Sequence, residues 1–139
     1  MSFYVIIPAR YSSSRLPGKP LIDLGGKPMI QRVFDLAKKS DAKEVIIATD
    51  HQDIVDRCNS FGANAVYTNT SHLTGTDRIA ETVEKIGLHE DSVVVNLQGD
   101  EPFIDSQDIN NLFKFYKGNN KFDVCTLFSY FTDKEDQAD

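Results

Sequence analysis

Hydrophobic and polar positions along this chain follow two rhythms. Short, continuous runs of largely β-branched residues predict buried strands at Phe3–Ile7, Glu44–Thr49 ("EVIIAT"), Ala65–Thr68, Ser92–Leu97 and Phe122–Phe128. Between them apolar residues recur at helical spacing. Ile30, Val33, Phe34 and Ala37 predict a helix over Met29–Lys39. Ile54, Val55, Cys58 and Phe61 predict one over Asp53–Phe61, with Gly62 placed to cap its end. Ile79, Ala80, Val83 and Ile86 predict a third over Thr76–Ile86, and Ile109, Leu112, Phe113 and Tyr116 a fourth over Asp108–Tyr116. Strands that are apolar throughout need cover on both faces. The alternation therefore predicts an α/β fold: a doubly wound, Rossmann-like, mostly parallel sheet wound by right-handed crossovers. Tyr4, Phe34, Phe61, Phe113 and Tyr116 are expected in its core.

Composition narrows this picture only slightly. A chain of 139 residues, 40% hydrophobic and 26% charged, is long enough for one domain with a real core. The formal net charge of −6 gives no general attraction to nucleic acid or to an anionic membrane, so neither is expected as a partner. No apolar run approaches the roughly 18 residues of a membrane span, and the N-terminus reads straight into a strand rather than a signal peptide. Cys58 and Cys125 sit inside apolar patterns without metal-ligand spacing, as buried thiols of a cytosolic protein do. The polar end, "FTDKEDQAD", follows a strand with no covering helix, which suggests a chain that stops short of its final element.

In an open α/β sheet, ligands bind beyond the carboxyl ends of the strands. The first strand is followed there by "PARYSSSRLPGK", a strongly basic segment in an acidic chain. Arg10, Arg15 and Lys19 can neutralise phosphate oxygens, the arginines in bidentate fashion and the lysine as a point charge. Ser13, Ser14 and the backbone of a Gly-containing turn add donors. The spacing is neither GxxxxGK[ST] nor GxGxxG, and a solvated surface loop is the other reading. After the fourth strand comes "NLQGDEP". Asp100 at a strand's carboxyl end suits Mg²⁺ that bridges to phosphate, although Gly-Asp before Glu-Pro is also good turn chemistry. "TGTDR" opens the third helix: Thr74 and Gly75 present backbone donors. Arg78 sits where a cation opposes the helix dipole, so it is expected to face an anion or else pair with Asp77 or Glu81. Asp50 and His51 lie on the same rim after the second strand. His51, His72 and His89 are assigned no role.

Together, "IIPARYSSSRLPGKPL", "GKPMI", "ATDH", "TGTDRIAE" and "VVNLQGDEP" closely resemble the 3-deoxy-manno-octulosonate cytidylyltransferases, the CMP-Kdo synthetase family, in register from Phe3 to about Pro102. The resemblance implies an enzyme that joins CTP and Kdo, giving CMP-Kdo and pyrophosphate for lipopolysaccharide assembly. It also implies a cytoplasmic location, Mg²⁺ as cofactor and a homodimer for the full-length protein. On this basis Pro8, Ala9, Arg10, Ser13, Ser14, Arg15, Lys19, Thr74, Gly75, Arg78 and Gln98 bind the nucleotide. Arg78 and Gln98 also reach the sugar, Asp100 holds Mg²⁺, and Arg10, Lys19 and Asp100 carry catalysis. Family members continue well beyond residue 139. The implied organisation is therefore residues 1–139 as the nucleotide-binding part of a single nucleotidyltransferase domain. The C-terminal half, with a second metal-binding aspartate, much of the Kdo pocket and the dimer contacts, lies outside it. A sialic acid or sugar-1-phosphate nucleotidyltransferase, or a nucleotide-binding piece without turnover, stays as the alternative.

Overall fold

The computed structural model describes residues 2–12, 17–70, 75–89, 92–100, 102–116 and 123–126, with the backbone alone for 116 and 123–126. Its main sheet has five parallel strands: β1 (Phe3–Ala9), β4 (Glu44–Thr49), β5 (Asn64–Tyr67), β6 (Val93–Asn96) and β7 (Asp123–Thr126). Their order is β5-β4-β1-β6-β7. A two-stranded ribbon, β2 (Asp23–Leu24) and β3 (Lys27–Pro28), precedes helix α1 (Met29–Lys38). The other helices are α2 (Gln52–Ser60), α3 (Gly75–Ile86) and α4 (Ser106–Tyr116).

Strand alternation divides the core in two. Phe3, Val5 and Ile7 of β1 face a large cluster built with α1, α2 and α4. Ile6, with Ile46 and Val94 of the flanking strands, faces a smaller cluster closed by Ile79 of α3. The doubly wound expectation is met, with one correction to the winding. The connections through α1, α2 and α3 share one hand. The chain then steps from β6 to β7 in the direction opposite to its step from β1 to β4, yet α4 lies on the same face as α1. The β6–α4–β7 connection therefore runs with the opposite hand to the other three. Contacts specific to that face hold α4 there. Phe113 stacks on Phe3 with ring centroids 4.6 Å apart, and the Asp41 N–H donates to Asn110 Oδ1 at 2.7 Å.

Two helices end in the same way. Past α2, Ala63 N–H donates to Cys58 O at 3.0 Å and Gly62 N–H to Asn59 O at 3.2 Å, with Gly62 at φ 81°. Past α3, Leu88 and Gly87 donate to Val83 O and Glu84 O, with Gly87 at φ 68°. Both are Schellman caps, in which a left-handed glycine lets the chain turn back and satisfy the last carbonyls. Cys58 is fully buried, and burial pushes its thiol up from 9.0 to about 12, in keeping with a structural thiol. The Cys125 side chain lies outside the described residues. Among the described residues, no helix is long and apolar enough to cross a membrane.

Candidate functional site

The chain leaves β1 towards β4 on one side and returns to pair β6 on the other. Strand order therefore reverses between β1 and β6, and a crevice opens beyond their carboxyl ends. A cleft of about 170 Å³ lies there. It is smaller than the roughly 300–1,000 Å³ of complete small-molecule sites, so it can enclose part of a ligand with the remainder in the open.

Three segments form its walls. Pro8 and Ala9, at the end of β1, form the floor with Gly99. Gly99 N–H donates to Pro8 O at 3.3 Å, and a Cβ on Gly99 would stand 3.1 Å from that oxygen and 3.3 Å from the Ala9 Cβ. Only glycine lets the turn after β6 close this tightly on β1. Gly75, at the start of α3, approaches from the side: a Cβ there would lie 3.3 Å from Pro8 Cγ and 3.4 Å from Gln98 Nε2. Gln98 donates through Nε2 to Asn96 Oδ1 at 3.1 Å, which orients its amide beside the cleft.

The charged groups stand at the mouth. Arg10 is exposed on the rim. Lys19, on the single 3-10 turn Lys19–Leu21, reaches Asp100 with Nζ 3.2 Å from Oδ2. Two side chains 42% and 49% exposed form a pair of the surface kind, weak and easily exchanged for other partners. Gly18, at φ 74°, delivers Lys19 to this place and donates its N–H to Tyr11 O at 2.7 Å.

Of the residues expected at the site, Pro8, Ala9, Arg10, Lys19, Gly75, Gln98 and Asp100 come together around the cleft. Ser13, Ser14, Arg15 and Thr74 lie outside the described residues. Arg78 is not in the lining. It is fully buried and its Nη2 stands 3.6 Å from Asp50 Oδ2, while Nη1 donates to the Thr68 hydroxyl and to Asn69 O. An anion does face it, as its place in the first helical turn suggested, but that anion is the carboxylate of Asp50. Glu81 pairs with Lys85 at 2.8 Å and its charge also favours the Arg78 cation. Burial pushes the Arg78 guanidinium below the ordinary arginine range. Asp50 pulls it back up and neighbouring Arg10 pushes it further down. Sequence reasoning missed Tyr11 and Gly99, whose parts depend on neighbours distant in the chain, and Asn96, which holds the Gln98 amide two residues on.

Asp100 is a hard oxygen donor on the rim, and Mg²⁺ usually takes one or two protein carboxylates and completes its shell with water and phosphate oxygens. Among the described residues no group of three or more His, Cys, Asp or Glu could hold a metal. Asp100, the carboxylate among the lining residues, fits a Mg²⁺ ion that also takes phosphate oxygens.

Comparisons with known proteins show the family of the chain. Three similar proteins are each named 3-deoxy-manno-octulosonate cytidylyltransferase. That of Saccharophagus degradans is 49% identical over 91% of this chain and 50% of its own length. That of Idiomarina loihiensis is 48% identical over 98% and 54%. That of Haemophilus influenzae is 54% identical over 83% and 47%. The chain thus spans about half the length of the curated relatives it matches. A solved CMP:2-keto-3-deoxy-manno-octonic acid synthetase complexed with CTP superposes with a TM-score of 0.78, at 43% identity over 83% of this chain and 47% of that one. A cytidylyltransferase from Leptospira borgpetersenii shares the fold, with a TM-score of 0.70 at 22% identity over 84% of this chain and 49% of that one. The cytidylyltransferase family pattern matches residues 4–138, and the chain belongs to that family.

Proposed function

We propose that this chain is the nucleotide-binding half of a single-domain CTP:Kdo cytidylyltransferase, which makes CMP-Kdo and pyrophosphate. One observation carries the reading: Arg10 stands with the paired Lys19 and Asp100 around a cleft at the switch point of the sheet. The relatives' names supply the substrates.

In this reading Pro8, Ala9 and Gly75 form a close-fitting apolar and backbone surface for the base and ribose. Arg10, Lys19 and Arg15 take the triphosphate, helped by Ser13, Ser14 and the Thr74 backbone. Gln98 presents its amide to ribose or sugar. The anomeric hydroxyl of Kdo attacks the α-phosphorus; the new O–P bond forms as the bond to pyrophosphate breaks, and the hydroxyl proton leaves to solvent. Arg10 and Lys19 balance charge that builds on the non-bridging and departing oxygens. Mg²⁺ bound at Asp100 would supply further charge neutralisation on the same phosphates. The fixed strand ends hold the reactants in line, and that positioning is much of the catalysis. We place the protein in the cytoplasm and its full-length form in a homodimer, in line with the family resemblance.

The test is pyrophosphate release from CTP, Mg²⁺ and Kdo by the 139-residue chain beside a chain extended to the length of its relatives. Release by the longer chain, lost when UTP replaces CTP or a hexose 1-phosphate replaces Kdo, is the expected result. Release with the hexose 1-phosphate instead moves the protein to another sugar nucleotidyltransferase class. No release from either chain, with CTP still bound, leaves a binding module and overturns the enzymatic reading.

A further inference from the structure

We propose that the end of β4, Asp50 with His51, is a bracket that positions the backbone at Arg10 and Tyr11, with Arg78 as the buried counter-charge that holds the bracket in place. Only the identity of the ligand served by Arg10 rests on the reading above.

Tyr11 is gripped at three points. Its N–H donates to Asp50 Oδ1 at 3.3 Å. Its ring stacks on His51, with centroids 3.8 Å apart and planes 15° off parallel. Its carbonyl accepts from Gly18 N–H at 2.7 Å, where a Cβ on Gly18 would stand 3.3 Å from the Tyr11 ring. These contacts fix both the residue that follows Arg10 and the residue that precedes Lys19. The two cations of the cleft mouth are thus referred to a single tyrosine, and that tyrosine to the end of β4.

The bracket is itself fixed. His51 Nδ1 accepts the Asp53 N–H at 3.1 Å as the N-cap of α2, which sets the ring plane offered to Tyr11. Asp50 is only 11% exposed, and Arg78, at 3.6 Å, is wholly buried. Among the described residues the Arg78 Nε and Nη2 make no hydrogen bond, so the charge of Asp50 is the main compensation for the buried guanidinium. Arg78 also donates to Thr68 and Asn69 past the end of β5. The pair thereby ties α3, whose first residue Gly75 lines the cleft, to the strand end that holds Tyr11. Arg78 does not line the cleft, so it acts on a ligand through Asp50 and is a positioning residue.

Removing one charge alone would strand the other in the interior, so the test replaces both. Asp50→Leu with Arg78→Met gives an apolar pair that cannot accept the Tyr11 N–H; Asp50→Asn with Arg78→Met keeps an acceptor. Both are made in the chain extended to its relatives' length, and amide hydrogen exchange is read at Tyr11 and Gly18 against the amides of β1 and β4. In the Leu–Met protein, Tyr11 and Gly18 should exchange about tenfold faster or more while the sheet is unchanged, and the Kd for CTP should rise about tenfold through lost preorganisation. The Asn–Met protein should stay within about threefold of wild type in both readouts, a rescue that general destabilisation would not give. If the Leu–Met protein fails to fold, His51→Ala carries the test: Tyr11 exchange should rise several-fold over a native sheet. Unchanged loop exchange in a folded Leu–Met or His51→Ala protein overturns the proposal. Exchange needs no nucleotide, so failure of CTP to bind wild type would end the functional reading and leave this test intact.

Discussion

Lys19 and Asp100 are 81 residues apart in sequence and 3.2 Å apart in space. Each was legible alone: the lysine from a basic segment after an apolar strand, the aspartate from a carboxylate at a strand's end. Their contact was not, because nothing local in either stretch encodes the other. Arg78 shows the reverse. Its helical position correctly announced an anion, but only the fold could reveal that Asp50 was that anion. An exposed pair such as Lys19–Asp100 is worth about 0–1 kcal/mol, so both groups can exchange partners at little cost when an anion and a cation arrive. We expect Asp100→Asn in the extended chain to abolish Mg²⁺-dependent pyrophosphate release while unfolding free energy moves by less than about 1 kcal/mol. Lys19→Ala should weaken CTP binding by roughly tenfold, the size of one lost charge-assisted contact, and lower turnover as well. Calorimetric unfolding beside a pyrophosphate assay separates the two effects. Unchanged turnover in Asp100→Asn removes that residue from the mechanism.

Elements were more legible than their placement. All four amphipathic helices and the continuous strands of the main sheet could be read from period alone, because β-branched runs and 3.6-residue stripes are local signals. The β2–β3 ribbon was missed: two residues on each side are too few to show a period. The face chosen by α4 was also out of reach, since an apolar stripe says which side of a helix is buried and not against which side of a sheet. Gly62 was recognisable as a cap; Gly87, with the same geometry, was overlooked. A Cβ at either glycine would meet nothing within 4 Å, so substitution there costs backbone strain without a clash. Gly62→Ala and Gly87→Ala should each destabilise by about 1 kcal/mol, partly offset by a stiffer unfolded chain. Urea midpoints should fall with unchanged slope. Both caps close helix carboxyl ends, on the side of the sheet away from the cleft, so CTP affinity should stay at the wild-type value. A midpoint unchanged in both variants would mean that neither cap holds its helix end.

At the scale of the whole molecule, charge makes the most discriminating demand. The chain carries a formal charge of −6, yet its cleft presents cations to a ligand that is itself an anion. Long-range repulsion and short-range attraction therefore oppose each other, and salt separates them. Six negative charges acting on a dianionic ligand about 20 Å away amount to roughly 2–3 kcal/mol in unscreened water. At ~0.15 M salt the screening length is about 8 Å and that repulsion falls to a few tenths of a kcal/mol. One charge contact at ~4 Å under an effective dielectric of ~20 gives about 4 kcal/mol before desolvation, so local attraction wins at physiological salt. Raising NaCl from about 0.15 to 0.5 M should then weaken binding of Mg²⁺–CTP to wild type several-fold, as the remaining contacts are screened. The triple variant Arg10→Gln, Arg15→Gln, Lys19→Gln takes the formal charge from −6 to −9 and removes the cations assigned to the triphosphate. Its weaker binding should strengthen as salt rises from about 0.02 to 0.15 M, because only the repulsion is left to screen. Titration calorimetry over one salt series for both proteins reads the two signs directly. Parallel salt slopes would mean that none of the three cations touches the ligand, and the cleft mouth would have to be assigned to something other than a triphosphate.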